Sequence, residues 1–160
     1  RVQKMATKNL FAVFWGFVIV FLGFGSAREG DLLVTSENWD NIVLGSDNVF
    51  LVEYYSSRCG SCKEFESSWN SLASSVDNEF KVARVTIDSK PGMKLAKDQG
   101  VLSKGIPAVQ VIAGSKHSEI LMAGKLETYA NLAMKVDIVA AKYRSDVGGL
   151  LIHSKGNSEL

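Results

Sequence analysis

One segment, Val49-Phe-Leu-Val-Glu-Tyr-Tyr55, restricts what this chain can fold into more than any other. It is a nearly unbroken run of aliphatic and aromatic residues, and strands that are covered on both faces of a sheet have this pattern. The turn cluster Gly45-Ser-Asp-Asn48 comes directly before it and marks where the strand begins. The run therefore predicts a central strand.

Apolar periodicity on both sides of this strand predicts an α/β chain. A strand at 32–34 leads to a helix in which Trp39, Ile42 and Val43 share one face, since residues three and four apart are neighbours on a helix. The remaining elements follow from the same kind of pattern. They are helices at 59–77, 91–99 and 126–143, a strand at 80–87, and an antiparallel hairpin at 108–112 and 117–121.

The composition is that of one globular domain. The chain has 160 residues, of which 46% are hydrophobic and 22% are charged, the ordinary balance for a single hydrophobic core. A net charge of +1 offers no face that could neutralise a run of phosphates, which argues against nucleic acid as a partner. With two cysteines, the chain can form neither a dense disulfide framework nor, from cysteine alone, a four-ligand zinc site.

Residues 1–27 differ from the rest of the chain. They contain Arg1, Lys4 and Lys8 and no acidic residue, and the run at 10–25 carries no charge. A basic flank, an apolar run and small residues near its end are typical of a secretory signal peptide. An uncleaved membrane anchor is the alternative, because the run is only slightly too short to span a bilayer. We expect a signal peptide at 1–27, a folded domain at 28–147 and a flexible tail at 148–160.

The pair Cys59-Gly-Ser-Cys62 stands at the start of the predicted long helix. Cysteines three residues apart in a first helical turn can close a disulfide. The free N–H groups and the positive end of the helix dipole favour a thiolate there, so Cys59 is expected to have a lowered pKa and to attack, with Cys62 as the buried second thiol. An inert structural disulfide and half of a zinc site are the alternatives. No second Cys-x-x-Cys or nearby His pair accompanies the motif.

Three segments together resemble the thioredoxin superfamily. They are the run at 52–63 that ends just after the cysteine pair, Ala83-Arg-Val-Thr-Ile-Asp88, and Gly105-Ile-Pro-Ala108. The segment Leu33-Val-Thr-Ser-Glu-Asn-Trp39 resembles the start of a catalytic domain of the protein disulfide isomerase family. The resemblance covers roughly residues 31–145 and implies a thioredoxin fold, with a central mixed sheet flanked by helices.

The resemblance also implies roles for individual residues. The Ile106–Pro107 peptide bond is expected to be cis and to present the Ile106 backbone to a bound peptide; the alternative is a trans proline that begins an edge strand. Glu53 matches a buried acid that exchanges protons with the second cysteine, here Cys62, and burial is expected to raise its pKa. The alternative for Glu53 is a carboxylate that reaches solvent at a strand edge.

Four of the residues that depart from the pattern of the family bear on the site. Arg84 replaces a Lys near the buried acid, and its charge would oppose the rise in the pKa of that acid, unless the side chain lies outward on the surface. Arg58 replaces a Trp, which puts a cation beside the reactive cysteine and alters the wall that contacts substrate. Ser61 replaces a His of the isomerases, so the disulfide is expected to be less oxidising. Lys104 takes the place of an Arg that swings toward the second cysteine, in a longer loop.

These observations predict a thiol-disulfide oxidoreductase or disulfide isomerase that acts on protein thiols and disulfides in the secretory pathway or the lumen of the endoplasmic reticulum. It would need a redox partner such as glutathione or another oxidoreductase, and neither a metal nor an organic cofactor. A redox-active binding module or holdase with incidental catalysis is the competing interpretation. A membrane-anchored reductase is a second competing interpretation, which requires that residues 1–27 are retained. The final Asn157-Ser-Glu-Leu160 matches the last two positions of the Lys-Asp-Glu-Leu retrieval signal.

Overall fold

The computed structural model describes residues 31–76, 79–115 and 117–146. The expected signal peptide at 1–27 and the tail at 148–160 lie outside these residues. In chain order the elements are β1 (Leu32–Leu33), a π-helical turn (Asp40–Leu44), β2 (Val49–Tyr55), α1 (Gly60–Val76), β3 (Lys81–Thr86), α2 (Lys90–Asp98), β4 (Ala108–Ala113), β5 (His117–Ala123) and α3 (Tyr129–Asp146). None of the helices in this part of the chain combines the length and the apolarity that crossing a bilayer requires.

β2 lies in the middle of a five-stranded mixed sheet with the strand order β1-β3-β2-β4-β5. It pairs in parallel with β3 and antiparallel with β4, and all of its residues except Tyr55 are buried. β1 extends the sheet in parallel beyond β3, and β5 forms a hairpin with β4. The predicted central strand is confirmed with its bounds, and so is the predicted fold class, a central mixed sheet flanked by helices.

Two hydrophobic cores cover the two faces of the sheet. Because side chains alternate along a strand, Leu51 faces one core and Val52 the other. α1 and α3 close the first core, in which Trp69 is fully buried, and α2 and the π-helical turn close the second, which contains Trp39. Glu53 is two residues beyond Leu51, so it lies on the face of the sheet that α1 covers.

The chain forms a short π-helical turn where the apolar spacing predicts a helix. Before the turn, Thr35 Oγ1 accepts a hydrogen bond of 3.3 Å from the Glu37 N–H, and Asn38 Oδ1 accepts one of 2.7 Å from the Thr35 N–H. The turn then widens, because the Gly45 N–H bonds at 2.7 Å to the carbonyl of Asp40, five residues earlier. The turn cluster that starts at Gly45 ends the helix after little more than one turn.

The bounds of α1, α2 and α3 differ from the prediction by one to three residues. α3 begins at Tyr129 rather than 126, because the Thr128 hydroxyl accepts a hydrogen bond of 3.3 Å from the Asn131 N–H and caps the helix at that point. Leu126 still packs against the first core from the segment before the helix. α1 begins at Gly60, so Cys59 is the residue directly before the helix.

Candidate active site

The sulfur of Cys59 occupies the capping position of α1. The Cys59 carbonyl accepts the Lys63 N–H at 3.3 Å, and Cys59 Sγ accepts the Cys62 N–H at 3.1 Å. A Ser or Asp side-chain oxygen makes this second contact at many helix N-termini. Negative charge on a sulfur in this place is stabilised by the N–H group and by the positive end of the helix dipole.

Cys59 and Cys62 are joined by a disulfide, with their Cα atoms 5.2 Å apart. Cys62 is buried, with 5% of its surface exposed, whereas Cys59 is partly exposed. The Ser61 hydroxyl lies 3.3 Å from Cys59 Sγ, and Gly60 faces open space. A second molecule can therefore approach Cys59, while Cys62 is shielded. Within the described ranges, no group of three or more His, Cys, Asp or Glu is placed to hold a metal ion.

Glu53 is fully buried in the middle of β2. Its Oε2 accepts a hydrogen bond of 2.6 Å from Arg84 Nε, and its Oε1 has no hydrogen-bond partner among the described residues. Burial raises the pKa of Glu53 to about 7, although the Arg84 charge acts in the opposite direction. The alternative of a carboxylate that reaches solvent is therefore wrong, and the expected rise in pKa is present.

Arg84 is buried between two acids and an aromatic ring, so the alternative of an outward surface arginine is wrong too. It is 4% exposed and pairs with Glu53 in the register of β2 and β3. Its guanidinium carbon lies 4.1 Å from the centroid of the Tyr55 ring, a cation–π contact. Arg84 Nε lies 3.9 Å from Asp31 Oδ2, which also accepts the Trp69 indole N–H at 3.4 Å. Asp31 is not singled out by any sequence pattern.

Asp88 holds the segment between β2 and the cysteine pair. Its Oδ1 accepts a hydrogen bond of 2.6 Å from the Ser56 hydroxyl, and its Oδ2 accepts one of 2.7 Å from the Ser57 N–H. The Ser56 oxygen in turn accepts the Arg58 N–H at 3.1 Å. These hydrogen bonds hold the pKa of Asp88 well below its usual range. Asp88 lies in one of the segments that resemble the family, but the sequence pattern gives it no role. Its partners Ser56 and Ser57 follow a different strand, β2, and local sequence does not show that contact.

Arg58 and Lys104, the two cations expected near the cysteines, are both at the surface. The Arg58 side chain is 83% exposed, and its Nε lies 3.6 Å from Asp88 Oδ1. The carboxylate of Asp88 therefore offsets part of the Arg58 charge. Lys104 is exposed in the turn where its N–H bonds to the Val101 carbonyl at 2.9 Å. Among the contacts of the described residues, no hydrogen bond or ion pair joins the Lys104 ammonium to the cysteine pair, and its expected influence stays a prediction.

The Ile106–Pro107 peptide bond is cis, as the resemblance implies. Pro107 is buried and Ile106 is partly exposed. The Pro107 carbonyl accepts the Gly124 N–H at 3.0 Å, and Gly105 and Gly124 both have positive φ, 99° and 70°. A Cβ on Gly124 would lie 2.7 Å from the Lys104 carbonyl oxygen. The two glycines therefore allow two backbone segments to approach each other closely next to the proline.

A helix capped by a disulfide-bonded cysteine, a buried acid on the sheet face below that helix and a cis-proline loop on a mixed sheet together define a thioredoxin-type domain. The family model described as Thioredoxin matches residues 31–137. The chain belongs to the thioredoxin family.

Among curated proteins, the chain is similar to protein disulfide-isomerases. It is 31% identical over 88 residues to protein disulfide-isomerase A6 of Homo sapiens, a match that covers 54% of this chain and 20% of the relative. It is 28% identical over 128 residues to protein disulfide-isomerase 2-3 of Arabidopsis thaliana, which covers 79% of this chain and 28% of that protein. The chain thus spans less than a third of the length of these relatives.

Two solved structures of ERdj5 share the fold. The Trx4 domain matches with a TM-score of 0.58 at 16% identity, over 72% of this chain and 97% of that one. The J-Trx1 fragment matches with a TM-score of 0.59 at 15% identity, over 70% of this chain and 52% of that one. At such identities the likeness shows the fold alone.

Proposed function

We propose that this chain is a protein thiol-disulfide oxidoreductase, acting as a reductase, oxidase or isomerase on protein substrates through Cys59 and Cys62. The observation that carries the proposal is the unequal placement of the two sulfurs. Cys59 Sγ caps α1 and is partly exposed, whereas Cys62 is 5% exposed. Membership of the thioredoxin family and similarity to protein disulfide-isomerases support the same activity.

The two cysteines exchange bonds with a substrate disulfide in two steps. The Cys59 thiolate attacks one substrate sulfur, the substrate S–S bond breaks, and the other substrate sulfur leaves as a thiolate. The Cys62 thiolate then attacks Cys59 Sγ, releases the second substrate sulfur and forms the intramolecular disulfide. The substrate gains the two electrons that the cysteine pair loses, and the reverse sequence oxidises substrate thiols. A partner such as glutathione or another oxidoreductase resets the pair.

Glu53 takes the proton that Cys62 loses before it attacks, through an intervening water. Its pKa of about 7 means that both forms of the carboxyl are populated near neutral pH, as a proton acceptor requires. Its Oε1 has no partner among the described residues and can receive the proton. β2 brings Glu53 to the sheet face that α1 covers, and Cys62 is in the first turn of α1.

The substrate lies across the Ile106–Pro107 loop. The partly exposed Ile106 offers backbone hydrogen bonds to an extended peptide, and Pro107, buried next to it, supports that backbone. Arg58, 83% exposed and directly before Cys59, contacts the substrate on the other side. Lys104 and Arg84 adjust the charge around the cysteines and the buried acid.

We place this activity in the secretory pathway, with the lumen of the endoplasmic reticulum as the compartment. The support is the basic flank and uncharged run within residues 1–27, which is typical of a signal peptide. A disulfide persists in such an oxidising compartment. The relatives named protein disulfide-isomerases agree with that setting.

Insulin reduction driven by dithiothreitol tests the proposal. Wild type is expected to turn over, Cys59→Ser to lose turnover, and Cys62→Ser to accumulate a mixed disulfide. Because the chain has two cysteines, that mixed disulfide can form only at Cys59. Ser103→Ala, at an exposed serine bonded to the Gly100 carbonyl, is the control and should match wild type.

The binding-module interpretation predicts a different result. A holdase would suppress the aggregation of a cysteine-free client equally well as wild type and as Cys59→Ser, and wild type would not turn over insulin. That combination would overturn the proposed enzymatic function.

A further inference from the structure

We infer that Asp31 is a positioning residue of this site: it is a standing counter-ion of Arg84, and it thereby leaves Glu53 free to take up and release a proton. The inference rests on the proposed function of Glu53 as the proton acceptor of Cys62. It begins from a buried cluster of one cation and two carboxyl groups, in which the side chains of Arg84, Glu53 and Asp31 are 5%, 1% and 2% exposed.

The charges in this cluster do not balance when both carboxyl groups are ionised. Arg84 Nε lies 2.6 Å from Glu53 Oε2 and 3.9 Å from Asp31 Oδ2. One positive charge then faces two negative ones among side chains that are at most 5% exposed, and an uncompensated buried charge is costly. The cluster is neutral when one of the two carboxyl groups holds a proton.

The contacts and the burial of the two carboxyl groups decide which of them takes that proton. Asp31 Oδ2 accepts the Trp69 indole N–H at 3.4 Å, and Glu53 Oε2 accepts Arg84 Nε–H at 2.6 Å. Glu53 Oε1 has no hydrogen-bond partner among the described residues. Glu53 is fully buried as a residue whereas Asp31 is partly exposed, and burial penalises the charged form, so the proton goes to the free oxygen of Glu53.

The groups that act on Glu53 come from several elements. They are Arg84 on β3, Asp31 before β1 and Glu66 on α1, and Tyr55 follows on β2 itself with its ring against Arg84. On the β4 side the paired residue is Val109, which carries no charge. Arg84 lowers the pKa of Glu53, while Asp31 and Glu66 raise it. Of these two acids, Asp31 alone is also within ion-pair distance of Arg84.

The mechanism assigns a simple exchange to this cluster. When Cys62 is deprotonated, its S–H bond breaks and an O–H bond forms on Glu53, through water. The cluster changes from one unpaired negative charge to neutral, because Asp31 continues to balance Arg84. Without Asp31, the full charge of Arg84 would act on Glu53 and stabilise its carboxylate. Glu53 would then be a weaker base than it is in wild type.

Carboxyl 13C NMR titration of the oxidised protein tests this inference without any substrate. In wild type, the Glu53 resonance should move near neutral pH. In Asp31→Asn the Glu53 midpoint should fall by about one pH unit, a tenfold change in the protonated fraction above the midpoint. Asp31→Glu should restore the wild-type midpoint, because it keeps the charge.

Glu66→Gln is the matched control. It removes an acid that also acts on Glu53 but makes no ion pair with Arg84, so its effect on the Glu53 midpoint should be smaller than that of Asp31→Asn. Equal shifts in the two variants, or no shift in Asp31→Asn, would overturn the inference. If Asp31→Asn does not fold, the wild-type titration still tests the inference, since a Glu53 resonance that does not move near neutral pH contradicts it. Failure of insulin turnover would overturn the proposed function and leave these titrations unaffected.

Discussion

Asp88 Oδ2 accepts a hydrogen bond of 2.7 Å from the backbone N–H of Ser57, and this bond links the end of β3 to the segment that leads into the cysteine pair. The other carboxylate oxygen accepts the Ser56 hydroxyl at 2.6 Å. Both oxygens therefore act as acceptors, which a carboxylate can do and an amide cannot. The position of the cysteines at the start of α1 depends on a residue that follows a different strand, β3.

Replacing Asp88 by asparagine should destabilise the fold. One carboxylate oxygen becomes an NH2 group, which cannot accept a hydrogen bond, so the contact with Ser56 or with Ser57 is lost. The loss of one hydrogen bond to a charged group at a partly exposed place corresponds to about 1–2 kcal/mol in the free energy of unfolding. Urea unfolding at neutral pH measures it. Asp98→Asn, which removes an exposed partner of Lys94, is the control and should cost less than about 0.5 kcal/mol.

The difference between Asp88→Asn and wild type should depend on pH in one direction. The pKa of Asp88 is lowered in the folded state, so its stabilising contribution is present above the pKa of the unfolded chain and is lost as pH falls through the folded value. The two proteins should therefore approach each other in stability in strongly acidic solution. A gap that widens toward low pH would contradict this explanation.

The contribution of Glu53 to stability should depend on pH in the direction opposite to that of Asp88. Its pKa rises from 4.5 to about 7 on folding, so the folded state favours the protonated carboxyl. This contribution is complete below pH 4.5 and is lost as pH rises to about 7, a loss of about 3 kcal/mol at most. Urea unfolding on both sides of this range should show that Glu53→Gln lacks the decline. Glu66→Gln should retain it, and a decline of the same size in Glu53→Gln would show that another group is responsible.

The sequence predicts the elements of this fold well where one local pattern determines them. The apolar run of β2 gives both ends of the strand, and the burial of Glu53 follows from its place in that run. The helix after the cysteines also follows from its own spacing. The π-helical turn does not, because it depends on where the Gly45 N–H finds an acceptor.

The partners within the site are set by strand order, which local patterns do not contain. Asp31 meets Arg84 because β1 lies beside β3, and Arg84 meets Glu53 because β3 lies beside β2 in the register that pairs them. Asp88 reaches the segment before the cysteines for the same reason. The sequence therefore predicts which residues carry the chemistry and leaves open which residues hold them in place.

The Ser61 hydroxyl should increase the reactivity of Cys59. It lies 3.3 Å from Cys59 Sγ and can donate a hydrogen bond to the thiolate of the reduced pair. Ser61→Ala should slow the alkylation of Cys59 by iodoacetamide at neutral pH about threefold to tenfold, the equivalent of roughly 1 kcal/mol. The measurement uses the Cys62→Ser background, in which one thiol remains. Ser103→Ala should leave the rate unchanged, and an unchanged rate in Ser61→Ala would mean that the hydroxyl does not bind the thiolate.

Gly124 should tolerate a side chain less well than another glycine of similar conformation. Gly124 and Gly114 have φ values of 70° and 61°, so Ala at either position adopts a strained backbone, at a cost of about 1 kcal/mol or more. A Cβ at Gly124 would also lie 2.7 Å from the Lys104 carbonyl oxygen, whereas one at Gly114 meets nothing within 4 Å. Gly124→Ala should therefore lower the free energy of unfolding by about 3 kcal/mol and Gly114→Ala by about 1 kcal/mol. Equal losses of unfolding free energy in the two variants would show that the loop beside Pro107 can open enough to admit a methyl group. The close approach of the two backbone segments would then not fix the position of that loop.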